Sequence, residues 1–420
     1  MRKRDIVFNI IRFIDAAIFD HFGPVRVLFV IQNRIGIAHQ IPLIEGLAAR
    51  PDINVAIVRA NGGTLGAHEI EQYLTGLNVR IIPAWRATLS HWHFIFLTEM
   101  RTNRFLWASS IFVLHHGNTW GNSDRSARFG PQGIADYADY QAHGSRVSFF
   151  QSFSLPYHHG FLKRFPALAN SPDFRSVVLG VPKLDRYKRP TAKERTDELL
   201  ALGLDPERPT MVFLSHWTPK GLLPSLGFEA IEAVLSHPAE INLVLLGHEK
   251  LWRAAEDGSS ETGQKMLRRI HDRVRQEGRF LFIPDEVDIS RYLRLADMFV
   301  CDNSSVFVEC LMYDRPILFF DHPDFEFSRS EIGHCYQSAS LCFQTPGDIG
   351  GAIDMALNQP NGLAQARRNA LEFMLARPGN AAAAAVDLIV RLGRVSGPHS
   401  LRWRRACKIV DEFNASIESH

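Results

Sequence analysis

The chain has 420 residues, 46% hydrophobic and 22% charged, which suits a globular protein with two domains of ordinary size. Its 47 basic and 45 acidic residues leave a net charge of only +2, which excludes a chain-wide nucleic-acid signature and requires any anionic partner to be held locally. The five cysteines (Cys301, Cys310, Cys335, Cys342, Cys407) form no CxxC pair and no zinc spacing, a pattern that fits buried thiols in a reducing, cytoplasmic compartment.

No stretch reaches the ~20 apolar residues that span a bilayer. Residues 1–24 predict an amphipathic helix, with Met1-Arg-Lys-Arg4 ahead of a stripe of Val7, Ile10, Ile11, Ile14, Ala17, Ile18 and Phe22. Arg12, Asp15 and Asp20 interrupt it, which argues against a cleaved signal peptide. The stripe suits a helix packed on its own domain. The alternative is a helix lying on the inner face of the cell membrane, its basic tip near anionic headgroups.

Apolar runs then alternate with helical patterns, which predicts an α/β fold with parallel sheets. The strands expected in the first half are Val25–Ile31, Asn54–Arg59, Val79–Ile82 and Ile111–His115, with helices at Ala38–Ala49 and Ala67–Thr75. In the second half they are Thr210–Ser215, Asn242–Leu246, Arg279–Ile283, Met298–Cys301 and Pro316–Phe320, with helices near Phe228–Leu235 and Gly263–Gln276. The polar, proline-containing stretch Tyr187–Pro209 marks a junction, so the domains are placed at 25–188 and 209–395, with a last helix at 400–420 that packs back across the junction. Two such halves would set their strand carboxyl ends face to face across a cleft, as in glycosyltransferase-B architecture, and there open α/β sheets bind ligands.

Chemistry-bearing residues gather at those strand ends. Strand Ile111–Leu114 runs into His115-His116-Gly117-Asn118-Thr119, which delivers an imidazole beside a glycine, and histidine suits general-base work near neutrality. Strand Met211–Leu214 ends in Ser215-His216-Trp217-Thr218-Pro219-Lys220, and Leu243–Leu246 ends in Gly247-His248-Glu249-Lys250. Met298–Cys301 opens through Asp302-Asn303-Ser304-Ser305 into a helix over Val306–Tyr313, with Glu309 one turn deeper. That helix start suits a nucleotide diphosphate with Glu309 on a ribose diol, and equally an ordinary capped helix. No metal cluster is visible, and neither metal nor cofactor is expected.

The ordered set resembles the CDP-glycerol glycerophosphotransferase family, which builds teichoic-acid-type polyol-phosphate polymers. The family's WHG-T motif is similar to His115–Thr119, its G-x-P-x-x-D element to Gly180-Val-Pro182-Lys-Leu-Asp185, and its A-P-T-(W/F)-R strand end to Leu214–Lys220. Its H-P pair is similar to His248-Glu249, its A-D-x-x-x-T-D-Y-S-S segment to Ala296–Ser305, its K-P continuation to Arg315-Pro316, and its D-G-x-A helix start to Pro378-Gly-Asn-Ala381. Asn303 stands where the family has tyrosine, Glu309 where it has Asp, Ser215-His216 where it has Ala-Pro, and Lys220 where it has arginine.

The resemblance implies a peripheral, cytoplasmic enzyme of glycosyltransferase-B fold, with an acceptor-side domain at 25–188 and a nucleotide-donor domain at 209–395. It would move glycerol phosphate or another polyol phosphate from a CDP-activated donor to a lipid-linked or polymeric hydroxyl acceptor, releasing CMP. His116 would be the base, with Gly117, Asn118 and Thr119 in the acceptor loop. His248 would contact a phosphate or act as acid, Ser304 and Ser305 with their N–H groups would hold the diphosphate, and Asn303, Thr218, Lys220 and Glu309 would complete the donor site. Two other functions fit the same residues: a nucleotide-sugar glycosyltransferase or UDP-GlcNAc 2-epimerase-like enzyme, and a catalytically silent nucleotide-binding assembly subunit.

Overall fold

The computed structural model describes residues 3–19, 21–60, 63, 65–98, 107–114, 147–256, 260–284, 286, 288–327 and 329–417. They form two compact units, one reaching to Asp185 and resuming at Leu375, the other spanning Arg186–Met374.

The first unit is built on seven strands: β1 (Val25–Ile31), β2 (Ile53–Arg59), β3 (Arg80–Ile81), β4 (His91–Leu97), β5 (Trp107–Val113), β6 (Val147–Ser152) and β7 (Phe174–Val178). They run parallel in the order β3-β2-β1-β4-β5-β6-β7. Alternate residues bury on opposite faces: Val27, Phe29 and Ile31 on one, Leu28 and Val30 on the other. Burial on both faces is what a parallel sheet wound by helices requires.

A ladder of rings crosses four of these strands in register. Phe29 is paired with Phe96, Phe96 with Phe112 and Phe112 with Phe149, at centroid spacings of 4.7, 5.1 and 5.7 Å. Trp403 continues it 5.5 Å from Phe149. That tryptophan lies on the helix Leu401–Ala415, which with the helices Ala381–Leu392 and Arg34–Ala48 covers this face of the first sheet. The sequence extends the second domain to 395; the structure ends the second unit at Met374, because both helices bury Leu388, Ile389, Val410 and Phe413 in the first unit's core.

The chain re-enters the first unit through a tight clasp. Gly180 has φ +76°, and a Cβ there would lie 2.1 Å from the Ala376 carbonyl oxygen. Five residues on, Asp185 accepts the Ala381 and Ala382 N–H groups at 3.0 and 2.6 Å, satisfying free donors at that helix start. The Gly180–Asp185 element and the Pro378–Ala381 element, separate motifs in the sequence, therefore meet each other.

The second unit holds β8 (Thr210–Ser215), β9 (Asn242–Gly247), β10 (Phe280–Ile283), β11 (Met298–Cys301), β12 (Ile317–Phe320) and β13 (Leu341–Phe343), all parallel, in the order β10-β9-β8-β11-β12-β13. At the start of β11, Asp297 accepts the Thr210 N–H at 2.9 Å and pairs with Arg195, so the motif's first Asp fastens β11 to the beginning of β8.

The N-terminal helix α1 (Lys3–Phe19) turns Arg12 and Asp15 onto the first unit. Arg12 Nε donates to the Thr88 carbonyl at 2.8 Å, and Asp15 pairs with Arg26 at 2.8 Å and accepts the His91 N–H. The Arg26 guanidinium stacks 4.2 Å from the Phe19 ring. His93 Nε2 and Arg394 Nε both donate to the Phe19 carbonyl, closing the helix end. Burial pushes the His93 pKa down to about 3, so the ring is neutral, with Nδ1 accepting the Arg26 N–H. From residue 10 onward the apolar stripe faces outward: Ile10, Ile14 and Ile18 are half-exposed and Phe13 is 69% exposed. No helix among the described residues is long and apolar enough to cross a membrane.

Candidate functional site

In the second unit the chain winds outward from β8 to β10 on one side and from β11 to β13 on the other. The crossover falls between β8 and β11, where open parallel sheets leave a crevice at their carboxyl ends. Two connections leave the sheet there: the loop from Ser215 to the short helix Leu222–Leu226, and the turn Asp302–Ser305. The end of β9 adds His248, and the first turn of the helix Glu249–Glu256 adds Lys250, beside them.

Asp302 bridges the crossover. It is fully buried, Oδ2 accepts the N–H groups of His216 at 2.7 Å and Leu222 at 2.9 Å, and Oδ1 accepts that of Ser304 at 3.2 Å. Burial raises its pKa, while the three N–H groups and the His216 imidazole act to lower it.

Above this tie stands a cluster of rings and cations. The His216 and His248 rings meet edge to face with centroids 5.7 Å apart, and Trp217 lies 6.3 Å from His248. Lys250 Nζ sits 4.7 Å over the Trp217 ring, a cation–π contact. His216 Nδ1 faces the Thr218 hydroxyl at 2.8 Å and accepts the Thr218 N–H at 3.3 Å, while His248 Nδ1 accepts the Lys250 N–H at 3.2 Å. In their neutral forms both rings therefore carry the proton on Nε2, assigned from these partners. Burial lowers the His216 pKa, Asp302 opposes that, and Lys250 adds to it. Such a site offers two N–H donors and a cation to a phosphate or a leaving group.

The expected donor residues divide. Thr218, His248, Asn303 and Ser304 gather at the crossover. The Asn303 side chain donates to the Lys220 carbonyl at 3.4 Å, while the Lys220 ammonium donates to the Asp324 carbonyl. The Ser304 N–H, expected at the diphosphate, donates to Asp302 in this structure, and the Tyr336 hydroxyl holds the Ser304 carbonyl at 2.9 Å. The helix after the turn covers only Val306–Leu311, and its N-cap Ser305 makes no side-chain cap bond. Glu309 is buried and accepts from the Tyr187 hydroxyl, fastening the chain that enters this unit, an engagement that the expected ribose contact did not include. His115, His116, Gly117, Asn118 and Thr119 lie outside the described residues; β5, which leads to them, ends at Val113.

Asp302, His216, Trp217 and Lys250 were not among the expected donor residues. The signal for Asp302 was present, a carboxylate directly after a buried strand, but its place at the head of a polar turn reads as a helix cap. His216 and Lys250 are visible only as strand-end residues until the order of the strands sets them side by side.

Residues 265–349 match the family model described as CDP-Glycerol:Poly(glycerophosphate) glycerophosphotransferase. No curated protein matches the chain. Among solved structures, the wall teichoic acid polymerase TagF is similar with a TM-score of 0.59 and 13% identity over 88% of this chain and 90% of that one. The UDP-GlcNAc 2-epimerase from Neisseria meningitidis, bound to UDP-GlcNAc, is similar with a TM-score of 0.54 and 11% identity over 87% of this chain and 100% of that one. A putative UDP-N-acetylglucosamine 2-epimerase from Listeria monocytogenes also gives 0.54, at 13% identity over 88% of this chain and 96% of that one. At these identities the structures establish the shared two-unit parallel α/β fold, that of glycosyltransferase-B enzymes. The chain carries the sequence pattern of the CDP-glycerol glycerophosphotransferase family at 265–349, across the strand and turn that hold Asp302, on the fold of a teichoic acid polymerase.

Proposed function

We propose that the protein transfers a polyol phosphate, glycerol phosphate foremost, from a CDP-activated donor to a hydroxyl acceptor in cell-surface polymer synthesis. The observation that carries this is the His216–His248–Lys250 cluster at the crossover of the unit that bears the family pattern. Phosphoryl transfer depends mainly on positioning and charge stabilisation, and that cluster supplies both. The acceptor O–H gives its proton to His116 as its oxygen attacks the β-phosphorus, and the bond from that phosphorus to the CMP oxygen breaks. His248 donates to the departing phosphate, Lys220 and Lys250 offset its charge, and the Ser304 hydroxyl and Thr218 hold the diphosphate.

Thermal unfolding of the purified protein against CMP, CDP-glycerol, CDP-ribitol, UDP and UDP-GlcNAc tests this. A ligand at 100 times its Kd adds about 2.7 kcal/mol to native-state stability. Selective stabilisation by a CDP-polyol, followed by CMP release with an acceptor, is the expected result. Stabilisation by uridine ligands instead would assign the protein to the nucleotide-sugar enzymes whose fold it shares. Tight CDP binding without turnover would make it a silent assembly subunit.

We propose further that the reaction takes place at a lipid surface, where a lipid-linked acceptor is presented. An amphipathic helix ordinarily turns its apolar side to its own domain; α1 does the reverse, and Phe22 and Trp85 add 73% and 66% exposed aromatic surface on the same unit. The sequence places Arg2, Lys3 and Arg4 at the leading end, a charge that suits anionic headgroups. The protein is expected to sediment with anionic vesicles, and Phe13→Glu with Ile14→Glu to release it without changing its melting temperature. Self-association that the same variants abolish, with no vesicle binding, would identify a second copy as the occupant instead.

A further inference from the structure

We infer that Asp302 is a positioning residue that clamps the loop leaving β8 to the turn leaving β11 and thereby sets the seat of the donor's diphosphate, an inference that rests on the donor reading above. The carboxylate is fully buried and turned to the chain's own amides. It holds the first and last amides of the 216–222 loop and the amide of Ser304, so three backbone positions on two connections share one buried anchor. Between the two pinned amides lie Thr218 and Lys220, which the donor reading assigns to the diphosphate, and Trp217, whose ring carries Lys250. Gly221 closes the loop so tightly that a Cβ there would lie 2.4 Å from the His216 carbonyl oxygen, and the Asn303 side chain adds a second tie to the Lys220 carbonyl.

The same strand provides an internal comparison. Asp297 also accepts a backbone N–H of β8, but at the amino end, far along the strand from the crossover, where it pairs with Arg195. β11 thus brackets β8 with a carboxylate at each end, and only one stands where His216 and His248 do. Asparagine has nearly the same shape as Asp302 but only one acceptor oxygen. Its NH2 group must face at least one of the three amides, setting donor against donor in a buried site.

The test compares Asp302→Asn with Asp297→Asn in the full chain. Asp302→Asn is expected to raise the KM for the CDP-polyol by about tenfold or more while kcat changes by less than about threefold. Asp297→Asn is expected to lower the melting temperature comparably with KM unchanged. Equal KM changes in the two variants would mark Asp302 as a stability residue only and overturn the inference.

If Asp302→Asn does not fold, hydrogen exchange on the wild-type protein decides. The amides of His216, Leu222 and Ser304 are expected to exchange slowly and together, and to slow further with CDP-glycerol, while that of Thr210 does not respond. Independent exchange, or no response to the ligand, overturns the inference. A wild-type protein that binds no cytidine nucleotide overturns the donor reading itself, and the inference with it. Binding that survives Asp302→Asn unchanged overturns the inference alone.

Discussion

Alanine at His116 is expected to lower turnover about 10²–10⁴-fold while leaving donor affinity within a few-fold, because a general base acts on the acceptor hydroxyl and not on the nucleotide. Alanine at His248 is expected to lower turnover by about the same factor and to weaken donor binding as well. That difference follows from placement. The His248 ring stands 5.7 Å from that of His216 and beside Lys250, in the cluster that the proposed mechanism assigns to the diphosphate, so on that reading its Nε2 proton would serve the bound donor as well as the leaving CMP. CMP release under saturating donor, with Kd measured separately by calorimetry, distinguishes the two. Retained turnover in His116→Ala removes that residue as the base. Loss of turnover in His248→Ala at unchanged Kd would confine His248 to the leaving group.

Valine at Gly180 is expected to be strongly destabilising. A β-branched residue held at φ +76° costs about 1–3 kcal/mol in backbone strain, and forcing a Cβ against a fixed carbonyl costs about as much again. The Ala376 carbonyl has little room to retreat, since the N–H of the same residue donates to the Phe153 carbonyl at 2.6 Å. Gly203 supplies the control: φ is +75° there, but a Cβ would meet nothing within 4 Å. Urea unfolding should show Gly180→Val losing clearly more stability than Gly203→Val. Equal losses would mean that the returning chain does not press on Gly180.

Much of the second unit is legible in the sequence because its strands are short, apolar through their middles and bounded by polar turns. β8 and β11 fall at Thr210–Ser215 and Met298–Cys301, as their apolar runs indicate. β4 is not legible: its run His91-Trp-His-Phe-Ile-Phe-Leu97 carries two imidazoles, which look unsuited to a buried strand until partners on α1, β1 and β5 satisfy them. β6, β7 and β13 are short runs carrying serine, arginine or cysteine, and only their neighbours make them strands. The site is legible as strand ends and not as a constellation. Periodicity locates His216, His248 and Asp302, but their proximity depends on β8 lying between β9 and β11, which no local pattern encodes. The outward turn of the α1 stripe is likewise a property of the assembled unit, decided by Asp15 finding Arg26 and the His91 amide.

The ladder of phenylalanines that ends on Trp403 has a consequence for how this protein is made. A ribosome delivers the chain from its amino end, so the strands carrying Phe29, Phe96, Phe112 and Phe149 emerge long before the helix that covers them. Residues 186–374 emerge in between and already hold every strand of their own sheet. The unit that begins first is therefore completed last. Until residues 381–415 leave the ribosome, only the early helices such as Arg34–Ala48 can cover that face; the part that Leu388, Trp403 and Val410 fill stays open, and the nascent protein carries an apolar surface that its finished form does not.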